Sequence, residues 1–358
     1  MKALVLAGGL GSRLRPFSHS MPKQLIPIAN KPVLAHVMDQ LRDMGVTQVG
    51  IVVGNRSEDI VSALGDGSAL GVRITYIPQD EPLGLAHCVR IARGFLGEDD
   101  DFVMVLGDNM LADGAADLAE DFRTRRPAAQ VVVRKVADPR EFGVAEVDEN
   151  GRVLRLVEKP EFPRSDLAVI GLYFFTPAIH EAVAAIEPSA RGELEITDAL
   201  QWLITSGADV QARVYPGFWK DTGRVEDVLD CNRNLLDRLD RSVLGEVDES
   251  SELIGAVVVE PGARVVRSRV VGPAIIGAGS VVADSYVGPH TSIGRDCRLS
   301  AAGVEYSIML DGAAVDRVSG VKGSLIGRDA TVSSAVLDDH YRLVGGGPPP
   351  PGGGPPGG

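Results

Sequence analysis

The residues best suited to chemistry begin with Leu6-Ala7-Gly8-Gly9-Leu10-Gly11-Ser12-Arg13-Leu14-Arg15-Pro16, a glycine-rich turn running directly off an apolar stretch. Glycines there let backbone N–H groups approach phosphate oxygens, and an arginine just beyond adds charge-assisted hydrogen bonds. The run lacks the Gly-Lys-Ser/Thr of a P-loop, and Arg13 with its neighbours stands where a dinucleotide fingerprint has its third glycine. Glycines alone would suit any tight strand-to-helix turn. Arg13, Pro16 and the following Pro22-Lys23-Gln24-Leu25 tip the balance toward an anion site. Asp108 closes the apolar run Val103-Met104-Val105-Leu106-Gly107, where a carboxylate could hold Mg²⁺ or equally cap a turn. Asp221, in Trp219-Lys220-Asp221-Thr222-Gly223, is a second candidate carboxylate far along the chain. Two carboxylates suffice for Mg²⁺, which fills its remaining positions with water and phosphate oxygens.

Five further segments stand out along the chain. In Gln79-Asp80-Glu81-Pro82-Leu83-Gly84-Leu85-Ala86-His87, an amide can pair with a pyrimidine edge and a glycine admits a base closely. Phe142-Gly143-Val144, Glu158-Lys159-Pro160 and Val169-Ile170-Gly171-Leu172-Tyr173 follow in order. Glu158 can accept hydrogen bonds from hydroxyls, and Lys159 can neutralise a phosphate. In Ala190-Arg191-Gly192-Glu193-Leu194-Glu195-Ile196-Thr197-Asp198, Glu193 and Glu195 are expected to start and cap the next helix.

Taken in this order, the segments resemble the sugar-1-phosphate nucleotidyltransferase family, whose G-G-x-G-[ST]-R-x-x-P signature precedes a second motif matched by Lys23-Gln24-Leu25-Ile26-Pro27. The resemblance implies an α/β fold: a Rossmann-like mixed-sheet nucleotidyltransferase domain followed, as in longer members, by a left-handed β-helix. It implies that Arg13 grips departing pyrophosphate and Lys23 the phosphates around the reacting centre, within a nucleotide site that includes Leu6, Gly8, Gly9, Gly11 and Ser12. Gln24 would lie near the deoxyribose, and Gln79 and Gly84 would read the base. Gly143, Glu158, Lys159, Val169, Tyr173 and Arg191 would line the sugar-phosphate pocket, and Asp108 with Asp221 would hold Mg²⁺. The Arg191–Asp198 stretch is most similar to the thymidylyl-transferring branch, so the implied substrates are dTTP and glucose 1-phosphate. His87 stands where that branch usually has glutamine. UTP or ATP on the same scaffold, or a sensing or assembly subunit without catalysis, remain as alternatives at this level.

These residues need a frame. Over the first third of the chain, apolar runs at 3–7, 48–53, 73–77 and 102–106 alternate with amphipathic stretches, the pattern of a parallel α/β sheet. Between Pro32 and Met44, the residues Val33, Leu34, Val37, Met38, Leu41 and Met44 share one helical face, with Asn30 a candidate cap. Strand-rich segments at 129–135, 143–147, 152–157 and 167–175 suggest a sheet extension, and helices are expected at 178–186, 195–205 and 224–240, the last bridging two domains. Beyond residue 250 apolar positions recur every sixth residue, as Val259, Val265, Val271 and again Val281, Val287, Ile293, Leu299, in the manner of hexapeptide coils. The expected organisation is a catalytic domain over 1–240, a β-helix over 250–344 and a disordered Gly/Pro tail over 345–358.

A formal net charge of -13 with no dense Lys/Arg cluster argues against nucleic acid or anionic lipid as partner, so an anionic ligand needs a locally positive site. Cys88, Cys231 and Cys297 have neither disulfide nor zinc spacing and suit buried, reduced positions. The apolar start is too short for a leader or a span, so the expected location is the cytoplasm. Exposed coil surfaces suggest a homo-oligomer. Hexapeptide coils also occur in acyltransferases, but that chemistry wants a histidine base and only His290 and His340 lie in the region.

Overall fold

The computed structural model describes residues 1–9, 11–15, 17, 21–334 and 342–344; Pro16, His340 and the Gly/Pro tail lie outside the described residues. By compactness the chain divides into two units, with Arg224 opening the long segment of the second. The first unit comprises Met1–Arg13, Met21–Ile26 and Lys31–Gly223. The second takes Arg224 onward together with the short segments Leu14–Ser20 and Pro27–Asn30.

The first unit is built on a nine-stranded mixed sheet. Its main path runs Val153–Glu158, Gly143–Val147, Leu167–Phe175, Phe102–Leu106, Lys2–Leu6, Gln48–Val53, Arg73–Pro78. The last four are parallel, and nearly every residue of the inner ones is buried, as continuous Val/Ile/Leu runs require of strands covered on both faces. Leu167–Phe175 then runs antiparallel to both Phe102–Leu106 and Ala129–Lys135, so the later strands do extend the sheet. The amphipathic helix is Val33–Asp43, burying Val33, Leu34, Val37, Met38 and Leu41. Asn30 does not cap it. Pro32 occupies that position, and the Asn30 side chain donates instead to Ile293 O, since its backbone at φ +59° turns away from the helix start.

The second unit contains the helix Val225–Leu236, shorter than the expected 224–240, and three sheets of very short strands, parallel except where Arg342–Val344 pairs antiparallel with Thr331–Ser333. Each strand pairs with the equivalent strand of the next coil, as Val257–Val259 with Ala274–Ile276 and then Thr291–Ile293, giving the three-sided coil expected of a left-handed β-helix. The sixfold spacing needs correction. Val271 and Val281 are only partly buried, whereas Val265, Val270, Ile276 and Val282 are wholly inside. Inward positions therefore step by five, six and six residues, and the coil closes after 17. A serine ladder marks that period: Ser268 N–H donates to Ser251 Oγ (3.0 Å), Ser285 N–H to Ser268 Oγ (3.0 Å) and Ala302 N–H to Ser285 Oγ (3.1 Å), each 17 residues apart. The hydroxyls satisfy backbone donors at the corners that the short strands leave unpaired.

All three cysteines are buried and none forms a disulfide, and among the described residues no helix is long and apolar enough to cross a membrane. Burial pushes the Cys88 thiol up to about 12 and that of Cys297 to about 11. Both are expected to stay unreactive toward a thiol reagent at pH 8 in the native protein and to label only after denaturant is added; native labelling at either position, read by mass spectrometry, would contradict the packing described.

Candidate functional site

The site begins where two neighbouring strands end. Leu6 and Leu106 are register partners, and Gly107 N–H donates to Leu6 O (2.9 Å), so the glycine turn and Asp108 emerge side by side at the carboxyl edge of the sheet. The short helical turn Lys23–Leu25 turns Lys23 back beneath the glycines. A Cβ built on Gly11 would lie 3.2 Å from Lys23 Cβ, and one on Gly9 would lie 3.4 Å from Lys23 Cε, so the lysine stem fills the space that side chains would need. Its ammonium forms a hydrogen-bonded ion pair with Asp108 Oδ2. Burial would lower the Lys23 pKa, but the combined attraction of Asp108 and Asp221 outweighs it and the pKa is raised, with Arg13 opposing slightly. Arg13, Lys23, Asp108 and Asp221 thus share one electrostatic neighbourhood.

Asp221 reaches Asp108 through the backbone. Trp219–Asp221 pairs antiparallel with Asn109–Leu111, Asp221 opposite Asn109, while Thr222 donates its N–H (3.1 Å) and its hydroxyl (2.8 Å) to Asp108 O. These hard oxygen donors are the residues that could hold a divalent cation. Among the described residues no group of three or more His, Cys, Asp or Glu could do so, and two carboxylates leave room for phosphate oxygens, as Mg²⁺ at a nucleotide requires. Arg13 is largely exposed and pairs with Glu141 at 3.2 Å.

Gln24 and Gln79 flank the glycine turn. Gln24 is 1% exposed, its Oε1 has no hydrogen-bond partner among the described residues, and its Nε2 lies 3.9 Å from a Cβ built on Gly9. A buried amide left half-used beside a phosphate-type turn suits a ligand hydroxyl. Gln79 Oε1 lies 3.0 Å from a Cβ built on Gly8, and its Nε2 contacts His87 Nδ1 (3.1 Å) and Cys88 Sγ (3.3 Å). His87 therefore does more than pack on its helix. Its pKa is lowered by burial and then by Arg90, so it is neutral at pH 7 and can orient the Gln79 amide.

The second cluster gathers the later segments. A Cβ on Gly143 would lie 2.9 Å from Thr197 Cγ2, 3.4 Å from Glu158 Oε2 and 3.7 Å from Val169 Cβ. Glu158 meets Lys159 (3.5 Å) and Arg191 (3.6 Å), and Arg191 also meets Glu193 (3.5 Å) and Glu195 (3.3 Å). Glu195 sits at the N-cap position of the helix Ile196–Thr205 without bonding its backbone, and Glu193 does not cap it either. Arg191 and Ser189 draw the Glu195 side chain away, and burial followed by the Glu158 charge raises its pKa. Lys159 adopts φ +41°, which turns it out of the strand ending at Glu158. Tyr173 is 4% exposed, stacked 5.9 Å from Phe175; burial and then the nearby Glu158 raise its pKa. Leu6 is buried beside Val52, and Ser12 lies in the turn Ser12–Leu14 with Arg13.

The two clusters are stitched together. Leu194 N–H donates to Leu83 O (2.8 Å), Ala86 N–H donates to Leu194 O (3.0 Å), and Asn109 Nδ2 donates to Ile170 O. Phe142 packs edge-on against Trp219, two residues before Asp221 (5.5 Å). Thr197 and Glu141 touch candidate site residues although their sequence context does not single them out, and Glu195, expected only to start or cap a helix, does so too. Thr197 lay inside a highlighted stretch, but nothing in its type signalled that it would touch Gly143 and Glu158.

Comparison with known proteins follows the same lines. A family model for nucleotidyl transferases matches residues 2–238. A glucose-1-phosphate thymidylyltransferase of Streptomyces griseus is 54% identical over 351 residues, covering 96% of this chain and 99% of that protein. One of the same name from Streptomyces antibioticus is 54% identical over 353 residues, with 96% and 99% covered. Among solved structures, one from Bacillus anthracis assigned as a glucose-1-phosphate thymidylyltransferase, in complex with a sucrose, superposes with TM-score 0.61 and 35% identity, covering 65% of this chain and 94% of that one.

Gly84 is the tightest backbone constraint in the site. It has φ +102°, and an added Cβ would lie 2.4 Å from Leu194 O. Gly84→Ala is expected to lower Tm by about 3 °C or more, measured by calorimetry. An unchanged Tm would mean that the two loops are not held as described.

Proposed function

The chain belongs to the nucleotidyl transferase family, and we propose that it moves a thymidylyl group from dTTP to glucose 1-phosphate, giving dTDP-glucose and pyrophosphate. The activity named for the two Streptomyces relatives, which align with almost the whole chain, supports both substrates. The observation that carries the chemistry is the Lys23–Asp108 pair beneath the glycine turn, with Asp221 and Arg13 in electrostatic reach.

In this reading a phosphate oxygen of glucose 1-phosphate forms a bond to the α-phosphorus of dTTP while the bond from that phosphorus to the departing pyrophosphate breaks. The attacking oxygen is already ionised at neutral pH, so the protein needs no covalent nucleophile. Its work is alignment and charge neutralisation. Gly8, Gly9, Gly11 and Ser12 offer backbone N–H groups to the phosphates, Arg13 steadies the leaving pyrophosphate, and Lys23 leans over the reacting phosphorus. Gln79, oriented by His87, pairs with the base above Gly84, and Gln24 takes a deoxyribose hydroxyl. Glu158 accepts from sugar hydroxyls, with Gly143, Val169 and the buried Tyr173 shaping the pocket, while Lys159 and Arg191 hold the sugar phosphate. Asp108 and Asp221 are the residues that would hold Mg²⁺, which supplies positive charge to the nucleotide phosphates when bound.

Pyrophosphate release with Mg²⁺ and glucose 1-phosphate is expected to be strongest with dTTP among dTTP, UTP, ATP, CTP and GTP, and to vanish in Asp108→Asn. Preference for another nucleotide would reassign the base, and silence with all five would overturn catalysis. Lys159→Ala is expected to lower kcat roughly 100-fold with the fold intact, because its charge acts most on the transition state. Arg191→Ala should chiefly raise KM for glucose 1-phosphate, by about tenfold. An unchanged kcat in the first variant, or an unchanged KM in the second, would remove that residue from the assignment.

A further inference from the structure

A short hydrogen-bond chain within the first unit fixes which end of the Gln79 amide a ligand can meet. Gln79 directly follows the strand Arg73–Pro78, and its N–H donates to Val53 O (2.8 Å), so its backbone is held by the sheet. Its side chain reaches the helix Leu85–Ile91, where Nε2 lies 3.1 Å from His87 Nδ1 and 3.3 Å from Cys88 Sγ. Cys88 decides which way the amide faces. Its buried thiol keeps its proton and donates it to Gly84 O (3.5 Å), so the sulfur is left to accept from Gln79. The amide nitrogen therefore points at Cys88 and His87 and gives one proton to each. His87 Nδ1 must then be the bare nitrogen, with the single proton of the neutral ring on Nε2. Both N–H groups of Gln79 are spent inside the protein, and only its carbonyl oxygen is left to offer. That oxygen has no hydrogen-bond partner among the described residues, and it faces the glycine turn, 3.0 Å from a Cβ built on Gly8.

We propose that His87 is a specificity-determining positioning residue: by accepting from Gln79 Nε2 it holds Oε1 outward as a lone acceptor, which selects a base edge carrying a ring N–H and turns cytosine away. The inference rests on the role proposed above for Gln79 as the residue that meets the base. Thymine and uracil present N3–H between two carbonyls, and a single acceptor matches that donor. Cytosine N3 is itself an acceptor, so two lone pairs would face each other with no proton between them. An amide free to turn over could not make this distinction, because its reversed form would offer N–H to cytosine. Base choice is thereby coupled to the proton on His87. When the ring takes a second proton, Nδ1 becomes a donor that opposes Nε2, and the amide reverses to give it Oε1. Two charges act on the ring, Arg90 from its own helix and Glu81 from the loop before it. Burial and then Arg90 disfavour the imidazolium, and Glu81 favours it less strongly, so selection holds at neutral pH and is lost only below the ordinary imidazole range.

The test measures KM for dTTP and the competitive inhibition constant of dCTP against it, in full-length wild type, His87→Leu and His87→Asn, from pH 8 down to about pH 5.5. The ratio of inhibition constant to KM reports base selection, and phosphate ionisation, which both nucleotides share, cancels from it. In wild type the ratio is expected to be flat between pH 8 and pH 7 and to fall about tenfold by about pH 5.5, where cytosine is still largely unprotonated. His87→Leu removes the acceptor, so its ratio should already be about tenfold lower at pH 8 and should not vary with pH. His87→Asn can present Oδ1 where Nδ1 stood and does not titrate, so it should keep most of the wild-type ratio throughout the range. A merely structural role would weaken both nucleotides alike, and an unchanged ratio in His87→Leu would overturn the inference. So would a wild-type ratio that does not fall on acidification, or one that falls equally in His87→Asn. Nitrogen NMR of the His87 ring, which needs no turnover, should find Nδ1 bare at pH 7; a proton there would overturn the amide orientation. Preference for UTP over dTTP would move the substrate proposed above and leave this inference standing, because uracil carries the same N3–H. Preference for ATP, or silence with every nucleotide, would refute the proposed function and the selection role with it, while the NMR result would still report the hydrogen bond.

Discussion

The Lys23 ammonium pressed against the Asp108 carboxylate is the interaction on which the rest of the site depends. Both groups are mostly withdrawn from water, so the pair adds little net stability: desolvation consumes most of what attraction returns. Its value is geometric. Lys23 can reach Asp108 only by lying along Gly9 and Gly11, and Asp108 is within reach only because Leu6 and Leu106 end together in the sheet. The same residue anchors the strand of Asp221, for the Asp108 backbone carbonyl accepts two hydrogen bonds from Thr222. Chain segments distant in sequence are thereby drawn to one point.

A pattern of compensated charge extends outward from that pair. Arg13 is matched by Glu141, Lys159 by Glu158, and Arg191 by Glu158, Glu193 and Glu195. The acidic balance of the chain led us to expect a locally positive site; the structure instead has each cation of the site facing a carboxylate. An incoming phosphate would exchange one anionic partner for another, so the cations stay ordered without a ligand and no cluster of bare positive charge destabilises the fold. The raised pKa of Glu195, caused first by burial and then by Glu158, reflects how crowded with carboxylates this part of the site is.

The coils follow a separate logic. Inward valines and isoleucines fill the core, while serines 17 residues apart take up the backbone donors at successive corners. One five-residue step among the six-residue steps of each coil explains why a strict sixfold reading loses register after Val265. Asn232, Ser292 and Asn30 interrupt this regularity with a polar knot, and it is there that Ala29 is held in a conformation it would not choose alone.

The sequence by itself determined most of the elements and singled out candidate ligand groups. Apolar runs of five or six residues bounded by turn residues fit buried strands, the spacing from Val33 to Leu41 buries one helical face, and the glycines with Arg13 and Lys23 form a pattern whose parts are local enough to recognise. Tertiary structure alone decided who meets whom. Asn30 was a sound cap by type, but the strand at Ile293 offered a better acceptor and the chain turned away. Glu195 was well placed to cap its helix, but Arg191 and Ser189 claimed its carboxylate. The contacts of Thr197 with Gly143 and Glu158, and the hydrogen bond from Ala29 N–H to Asn232 Oδ1, join residues far apart in the chain. Their partners are set by how elements pack, and residue type and spacing carry no information about that until the chain has folded.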